Sequence, residues 1–283
     1  MIPSSSLSAV RSGTPLVHCI TNVVTVNDVA NALLAIGASP VMSDEPDDAP
    51  GIASLASALV LNIGTLNHRS IEAMRAAGRV ANRRGIPVVL DPVGAGATAF
   101  RTDTARSLLA GLRIAAIRCN LSEFKAVAGI GEGETYGVDA AAADAITPAT
   151  LPVLARALRD FAAGHDCLVA VTGAIDLVCS GTRALAVHNG RPEMARITGT
   201  GCQLTALAAA FLASVPDEAG GDAPLQALAT AVAAMGVAGE IAFARLRPEE
   251  GNATYRDRIL DVLYHLDGET LDAKARIDDV AGY

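Results

Sequence analysis

Tryptophan is absent from this 283-residue chain, and aromatic residues make up only 3% of it. Half the residues are apolar (51%) and alanine is very frequent, so the core has to be built from aliphatic layers, as in helix-covered parallel sheets. No stretch approaches the roughly 20 uninterrupted apolar residues of a spanning helix. The start, MIPSSSLSAVRSGTP, has no apolar run behind a basic patch, so no signal peptide is read there. The five cysteines (Cys19, Cys119, Cys167, Cys179, Cys202) are scattered, odd in number and form no C-x-x-C pair. That is the pattern of reduced thiols in a cytoplasm rather than of a disulfide framework or a zinc site. Basic residues are outnumbered 22 to 30, for a net charge of −8. The balance argues against a general nucleic-acid or anionic-membrane surface, and leaves room for a local cationic pocket that holds a phosphate. No G-x-x-x-x-G-K-[ST] occurs, which excludes a P-loop. A G-x-G-x-x-G with a downstream acid is also missing, which argues against a dinucleotide fold.

What is present is an alternation of short apolar runs with longer helical patterns. Strands are expected at Leu16–Ile20, Ser39–Met42, Ala58–Ile63, Pro87–Leu90 and Ile114–Arg118, with helices at Asn27–Ile36, Arg69–Arg84 and Thr102–Leu112 between them. Repeated strand–helix order predicts right-handed crossovers and a mainly parallel sheet of the α/β class. Cys167–Thr172, Asp176–Ser180 and Ala184–Asn189 follow a helix at Pro152–Ala163. Their connections are too short for crossovers, so antiparallel pairing is expected. Helices are predicted at Gly201–Ser214, Pro224–Leu246 and Arg256–His265. Residues 129–150, rich in Gly, Ala and Asp, read as a surface insertion with one loose helix, and the polar end from about 265 as a peripheral tail. With no repeat and no linker, residues 1–283 read as one domain.

The richest site signal is Ile197-Thr198-Gly199-Thr200-Gly201-Cys202, leading directly into a helix. Glycines permit a tight turn and a close backbone approach. The helix start offers free N–H groups to a phosphoryl group in flight, making an anion hole of Gly199, Thr200, Gly201 and Cys202. A helix N-terminus lowers a thiol pKa, so Cys202 is a candidate base toward a substrate hydroxyl; the alternative is a small buried hydrophobe.

In Arg118-Cys119-Asn120-Leu121-Ser122-Glu123, the arginine offers a planar fork to a nucleotide phosphate. Glu123 is either a Mg²⁺ ligand or one half of a capping box with Asn120. Asp91, ending a predicted strand, is either a second Mg²⁺-linked acid at the sheet's carboxyl edge or a turn former before Pro92. The hydroxyl of Thr172 either faces a nucleotide or belongs to a turn. Met42 is a wall for a small heterocycle or a core residue. Asn22, at the end of the first strand, is placed with the substrate contacts, and His18 is read as structural. The acidic run Ser43–Asp48 reads as a solvated loop.

Six stretches fall in the order of the hydroxyethylthiazole kinase family of the ribokinase-like superfamily: PLVHCITNVVTVNDVANALLAIGASPVM (15–42), ALVLNIGTLN (58–67), PVVLDPVGAGAT (87–98), IRCNLSEFKAVAG (117–129), VAVTGAIDLV (169–178) and ITGTGCQLTAL (197–207). The chain resembles that family over most of its length to about residue 213. The resemblance implies a three-layer sandwich and transfer of the γ-phosphate of ATP to the hydroxyl of 5-(2-hydroxyethyl)-4-methylthiazole in thiamine salvage. It implies ATP contacts by Arg118 and Thr172, thiazole contacts by Met42 and Gly199, a Mg²⁺-phosphate region at Asp91, Asn120 and Glu123, and a cytoplasmic trimer with sites between subunits. Most ribokinase-like enzymes are expected to carry Gly-Ala-Gly-Asp at the turn, and thiazole kinases Cys, as at Cys202. Two departures stand out: the long 129–150 segment and the charge of the 43–48 loop. The rival readings are a pyridoxal or hydroxymethylpyrimidine kinase, an ATP-dependent NAD(P)H-hydrate dehydratase, and a sensor without turnover.

Overall fold

The computed structural model describes residues 3–130, 146–216 and 218–280. Nine strands form one sheet: β1 (Leu16–Ile20), β2 (Ser39–Met42), β3 (Ala58–Asn62), β4 (Val88–Asp91), β5 (Ala116–Asn120), β6 (Leu168–Thr172), β7 (Asp176–Cys179), β8 (Ala184–Val187) and β9 (Ile277–Asp279). The spatial order is β2-β1-β3-β4-β5-β6-β7-β8-β9. β1 to β6 pair in parallel; β7 and β8 continue antiparallel, as their short connections require, and β9 adds antiparallel to β8 from far along the chain.

Both faces of the sheet are covered. Val17, Cys19, Val60, Val89 and Ala170 enter one core; their neighbours Ile20, Leu61, Leu90 and Val171 enter the other. This is the two-residue alternation of strand side chains with both sides apolar. The first core is closed by α1 (Pro3–Gly13), α2 (Val26–Ile36), α8 (Thr200–Ala213), α9 (Ala223–Ala244) and α10 (Asn252–His265). The second is closed by α3 (Ala49–Ala53), α4 (His68–Arg84), α5 (Ala99–Gly111), α6 (Leu121–Ala128) and α7 (Leu151–His165). α9 has the length and composition of a membrane span, but most of its apolar window is buried within the protein, against α8 and α10.

The end of the chain departs from the expected peripheral tail. Residues Gly268–Lys274 form α11, with Leu271 fully buried against the first core, and β9 extends the sheet beyond β8. A short strand of Ile-Asp-Asp has too little apolar alternation to be read from sequence. The loose helix expected within 129–150 falls largely on residues outside those described. On its flanks, Gly129 ends α6 at φ +72° and Ile146 is buried in the second core.

Candidate active site

The carboxyl ends of β1, β3 and β4 bring three polar residues to one edge of the sheet: Asn22 just beyond β1, Asn62 and Asp91. All three are buried, and α8 starts directly over them. Gly199 caps α8 at φ +90°, and a Cβ there would lie 2.5 Å from Thr25 Cγ2. A Cβ at Gly201 would meet Arg118 Nη1 at 2.4 Å. The turn therefore needs glycine at 199 for its left-handed backbone, and space at 201 for the guanidinium. No side chain caps the helix. The first amide bonded back into the helix is that of Gln203, to Gly199 O at 2.9 Å. Helix geometry leaves the N–H groups of Thr200, Gly201 and Cys202 without an intrahelical acceptor.

Beneath this terminus runs a continuous hydrogen-bond chain. Cys202 Sγ accepts from Asn22 Nδ2 (3.1 Å) and Asn62 Nδ2 (3.2 Å). Asn22 Nδ2 also donates to Asn62 Oδ1 (3.1 Å), while Asn22 Oδ1 accepts from the backbone N–H and hydroxyl of Thr25. Asp91 Oδ2 accepts from Asn62 Nδ2 (2.9 Å) and Thr205 Oγ1 (2.7 Å), with Arg118 Nη1 4.0 Å away. Asp91 Oδ1, also buried, has no partner.

Burial pushes the Asp91 carboxyl up to about 6, against the opposing pull of Arg118 and the Thr205 hydroxyl. The Cys202 thiol is also pushed up, first by burial and then by the negative charge of Asp91. Hydrogen bonds from Thr25, Asn62 and Asn22 work in the other direction. The lowered thiol pKa expected at the helix start is thus not met: burial and the charge of Asp91 push it up instead. The remaining cysteines are buried and free; burial lifts Cys167 and Cys179 to about 12.

On the β5–β6 side, Arg118 Nη2 donates to Thr172 Oγ1 at 2.6 Å, so the two residues expected to contact a nucleotide are joined. Both line a cleft of about 590 Å³ that is also bounded by Asp176, Asn189, Arg191, Met194, Thr200 and Met235. Of its two sequence readings, Glu123 shows the capping box. It closes the capping box, with Oε2 accepting from Asn120 N (2.9 Å), while Oε1 accepts from Gly94 N (2.8 Å) after β4. The carboxylate ties the loop after β4 to the start of α6. Met42 lies on the same rim at the end of β2, in register with Cys19, half-buried against the first core and outside the cysteine network. His18 is fully buried, and its Nε2–H donates to Ser43 O (2.8 Å). Burial lowers its pKa. It anchors the start of the acidic loop, in keeping with a structural role.

Sequence reasoning missed Asn62, Thr205 and Thr25. Asn62 left one signal: a lone amide closing an otherwise apolar strand. Thr205 lies one helical turn beyond Gly201, whose carbonyl its hydroxyl also reaches (3.1 Å).

The profile of the Hydroxyethylthiazole kinase family matches residues 7–269. The hydroxyethylthiazole kinase of Clostridium acetobutylicum is 45% identical over 272 residues, covering 96% of this chain and 97% of that protein. The solved hydroxyethylthiazole kinase of Pyrococcus horikoshii OT3 superposes with a TM-score of 0.85 at 35% identity, over 98% of each chain. The pyridoxal kinase of Staphylococcus aureus, bound to pyridoxal, shares the fold alone: TM-score 0.60 at 14% identity, over 94% of this chain and 98% of that one. The fold is ribokinase-like, and by profile, identity and superposition the chain belongs to the hydroxyethylthiazole kinase family.

Proposed function

We propose that the chain transfers the γ-phosphoryl group of ATP to the hydroxyl of 5-(2-hydroxyethyl)-4-methylthiazole. The observation that carries this reading is the uncapped α8 terminus, set over the Cys202–Asn62–Asp91 network and opening onto the cleft beside Arg118 and Thr172. ATP lies in that cleft, with Arg118 and Thr172 on its phosphates. The thiazole lies on the Asn22 and Met42 side, against the Gly199 turn.

The hydroxyl oxygen bonds to the γ-phosphorus as the bond to the ADP oxygen breaks, and the hydroxyl proton passes to Cys202 Sγ in its thiolate form. Amides of Thr200, Gly201 and Cys202 hold the equatorial oxygens. Phosphoryl transfer depends mainly on positioning and charge stabilisation, so a thiol that is mostly protonated at neutral pH is compatible with turnover. Asn22 and Asn62 fix the sulfur by donating to it.

The residues fit a Mg²⁺ ion. The buried, unpartnered Asp91 Oδ1 is an acceptor awaiting a donor or cation, and Glu123 stands nearby in the first turn of α6. Among the described residues no group of three or more His, Cys, Asp and Glu gathers as a cage. This suits an ion held by one or two carboxylates together with phosphate oxygens and water. Bound there, it would neutralise the phosphate charge.

The same reading makes the enzyme a cytoplasmic homotrimer. Its supports are the unpaired cysteines and two exposed side chains beside the site, Val23 (72%) and Val24 (64%), which flank Asn22 and Thr25 and offer a neighbour an apolar edge. A cysteine where most ribokinase-like kinases carry aspartate favours thiazole over pyridoxal or hydroxymethylpyrimidine. The test is ADP release from Mg·ATP with each alcohol in turn. Hydroxyethylthiazole is expected to give the highest kcat/KM. A higher value with pyridoxal or hydroxymethylpyrimidine, or turnover only with hydrated NAD(P)H, overturns the assignment.

A further inference from the structure

The wall of the nucleotide cleft formed by Asn189, Gly190 and Arg191 is held from behind by two distant parts of the chain. One is the C-terminal tail. Asn189 Nδ2 donates to Lys274 O (2.9 Å), and Asn189 Oδ1 accepts from Arg276 N (2.8 Å). His188 N donates to Arg276 O (2.9 Å), and Arg276 Nη2 donates back to His188 O (2.6 Å). The other is α9. Glu240 Oε1 accepts from Gly190 N (2.8 Å) and from Arg276 Nη2 (2.6 Å), and Arg276 Nη1 reaches Oε2 at 3.2 Å. Gly190 sits at φ +115°, a left-handed conformation held in place by that bond. α9 adjoins the wall without a spacer: a Cβ at Gly236 would fall 2.6 Å from Asn189 Cβ. One carboxylate thus joins the cleft wall to the tail, and it does so through a charged pair rather than through the apolar core.

We propose that Glu240, together with Arg276, is a positioning residue for the nucleotide. The pair fixes the 188–191 backbone against which ATP is bound, and the C-terminal tail is thereby part of the nucleotide site. The inference rests on the reading of this cleft as the ATP side. It does not depend on which alcohol is the acceptor. Removal of Glu240 frees Gly190 N–H and leaves Arg276 without its carboxylate partner, so the wall loses its register while the Cys202 network, on the other side of α8, keeps its own bonds. Glu240→Gln keeps an acceptor for Gly190 but gives up the ion pair, and is expected to fall between wild type and Glu240→Ala.

The experiment uses the full chain and five readouts: KM for ATP, KM for the thiazole alcohol, kcat at saturating ATP, the dissociation constant of a non-hydrolysable ATP analogue with Mg²⁺ by calorimetry, and thermal stability. Glu240→Ala and Arg276→Ala are each expected to raise the ATP KM and the analogue Kd about tenfold, as loosened positioning of a bound substrate does. The thiazole KM and the kcat at saturating ATP stay within about twofold. An unchanged analogue Kd in folded Glu240→Ala overturns the proposal; so does a parallel rise in both KM values. Should Glu240→Ala not fold, Glu240→Gln and Arg276→Lys decide the matter on the same readouts. If wild type binds the analogue but phosphorylates no thiazole alcohol, the substrate reading falls and the Kd values still judge this proposal. If wild type binds no analogue, both fall.

Discussion

Asp91 is fully buried, and its folded-state pKa is raised from 3.8 to about 6. A carboxyl group raised in this way binds its proton more tightly folded than unfolded. It therefore favours folding most below pH 4, and that contribution is lost as pH rises toward 6. At neutral pH the ionised form leaves a cost of roughly 3 kcal/mol. Asp91→Asn is expected to raise the melting temperature at pH 7.5, to lose that advantage near pH 4, and to abolish turnover. A lower melting temperature at pH 7.5 contradicts the balance drawn here. Cys202 gives a second test. With its thiol pushed up by burial and by Asp91, kcat is expected to climb with pH to at least about 9, the reference range of a free thiol being near 8.5. Cys202→Ala is expected to be slower and flat over the same range, with the ATP KM within about twofold of wild type. A profile that stays equally steep in the variant removes the proton from the sulfur. The candidacy of Asp91 and Cys202 was legible from their places at a strand end and a helix start. Their acid strengths were not, because desolvation depends on residues far apart in the chain, such as Asn62 and Thr205.

The start of α8 separates two effects that a glycine scan can resolve. Gly199 has a left-handed backbone and Thr25 against it; Gly201 has ordinary backbone, with the Arg118 guanidinium the nearest group in the way. Gly199→Ala is expected to lower the melting temperature and to reduce kcat by about a hundredfold, since it strains the turn that aims the amides. Gly201→Ala is expected mainly to displace the guanidinium of Arg118, raising the ATP KM with a smaller change in kcat. Equal effects on both parameters in both variants would refute this division. The elements themselves were largely readable. β1 and β2 follow the apolar runs residue for residue, and α2 and α4 end at Gly37 and Gly85 in the left-handed conformation. α1, α3 and α11 left no comparable signal. Their few apolar residues acquire meaning only against the rest of the fold, as Leu7 and Leu271 do when they close the first core.

For the molecule as a whole, the alternation of strands and helices foretold a mainly parallel sheet covered on both faces. The placement of polar residues at strand ends foretold the edge at which Asn22, Asn62 and Asp91 gather. The ninth strand and the tail's hold on Asn189 were not legible, because both depend on contacts across more than eighty residues. The exposed Val23 and Val24 beside Asn22 bear on assembly. The mass in solution by light scattering is expected to be three times that of the chain, and Val24→Asp is expected to lower both that mass and the turnover. A monomer of full activity would refute a shared site. Phosphoryl transfer to the thiazole hydroxyl is followed by ³¹P NMR of protein incubated with Mg·ATP and 5-(2-hydroxyethyl)-4-methylthiazole. A phosphate monoester of the hydroxyethyl group is expected, growing in equal amount with ADP. ADP accompanied only by inorganic phosphate, or no change in ATP, would contradict it.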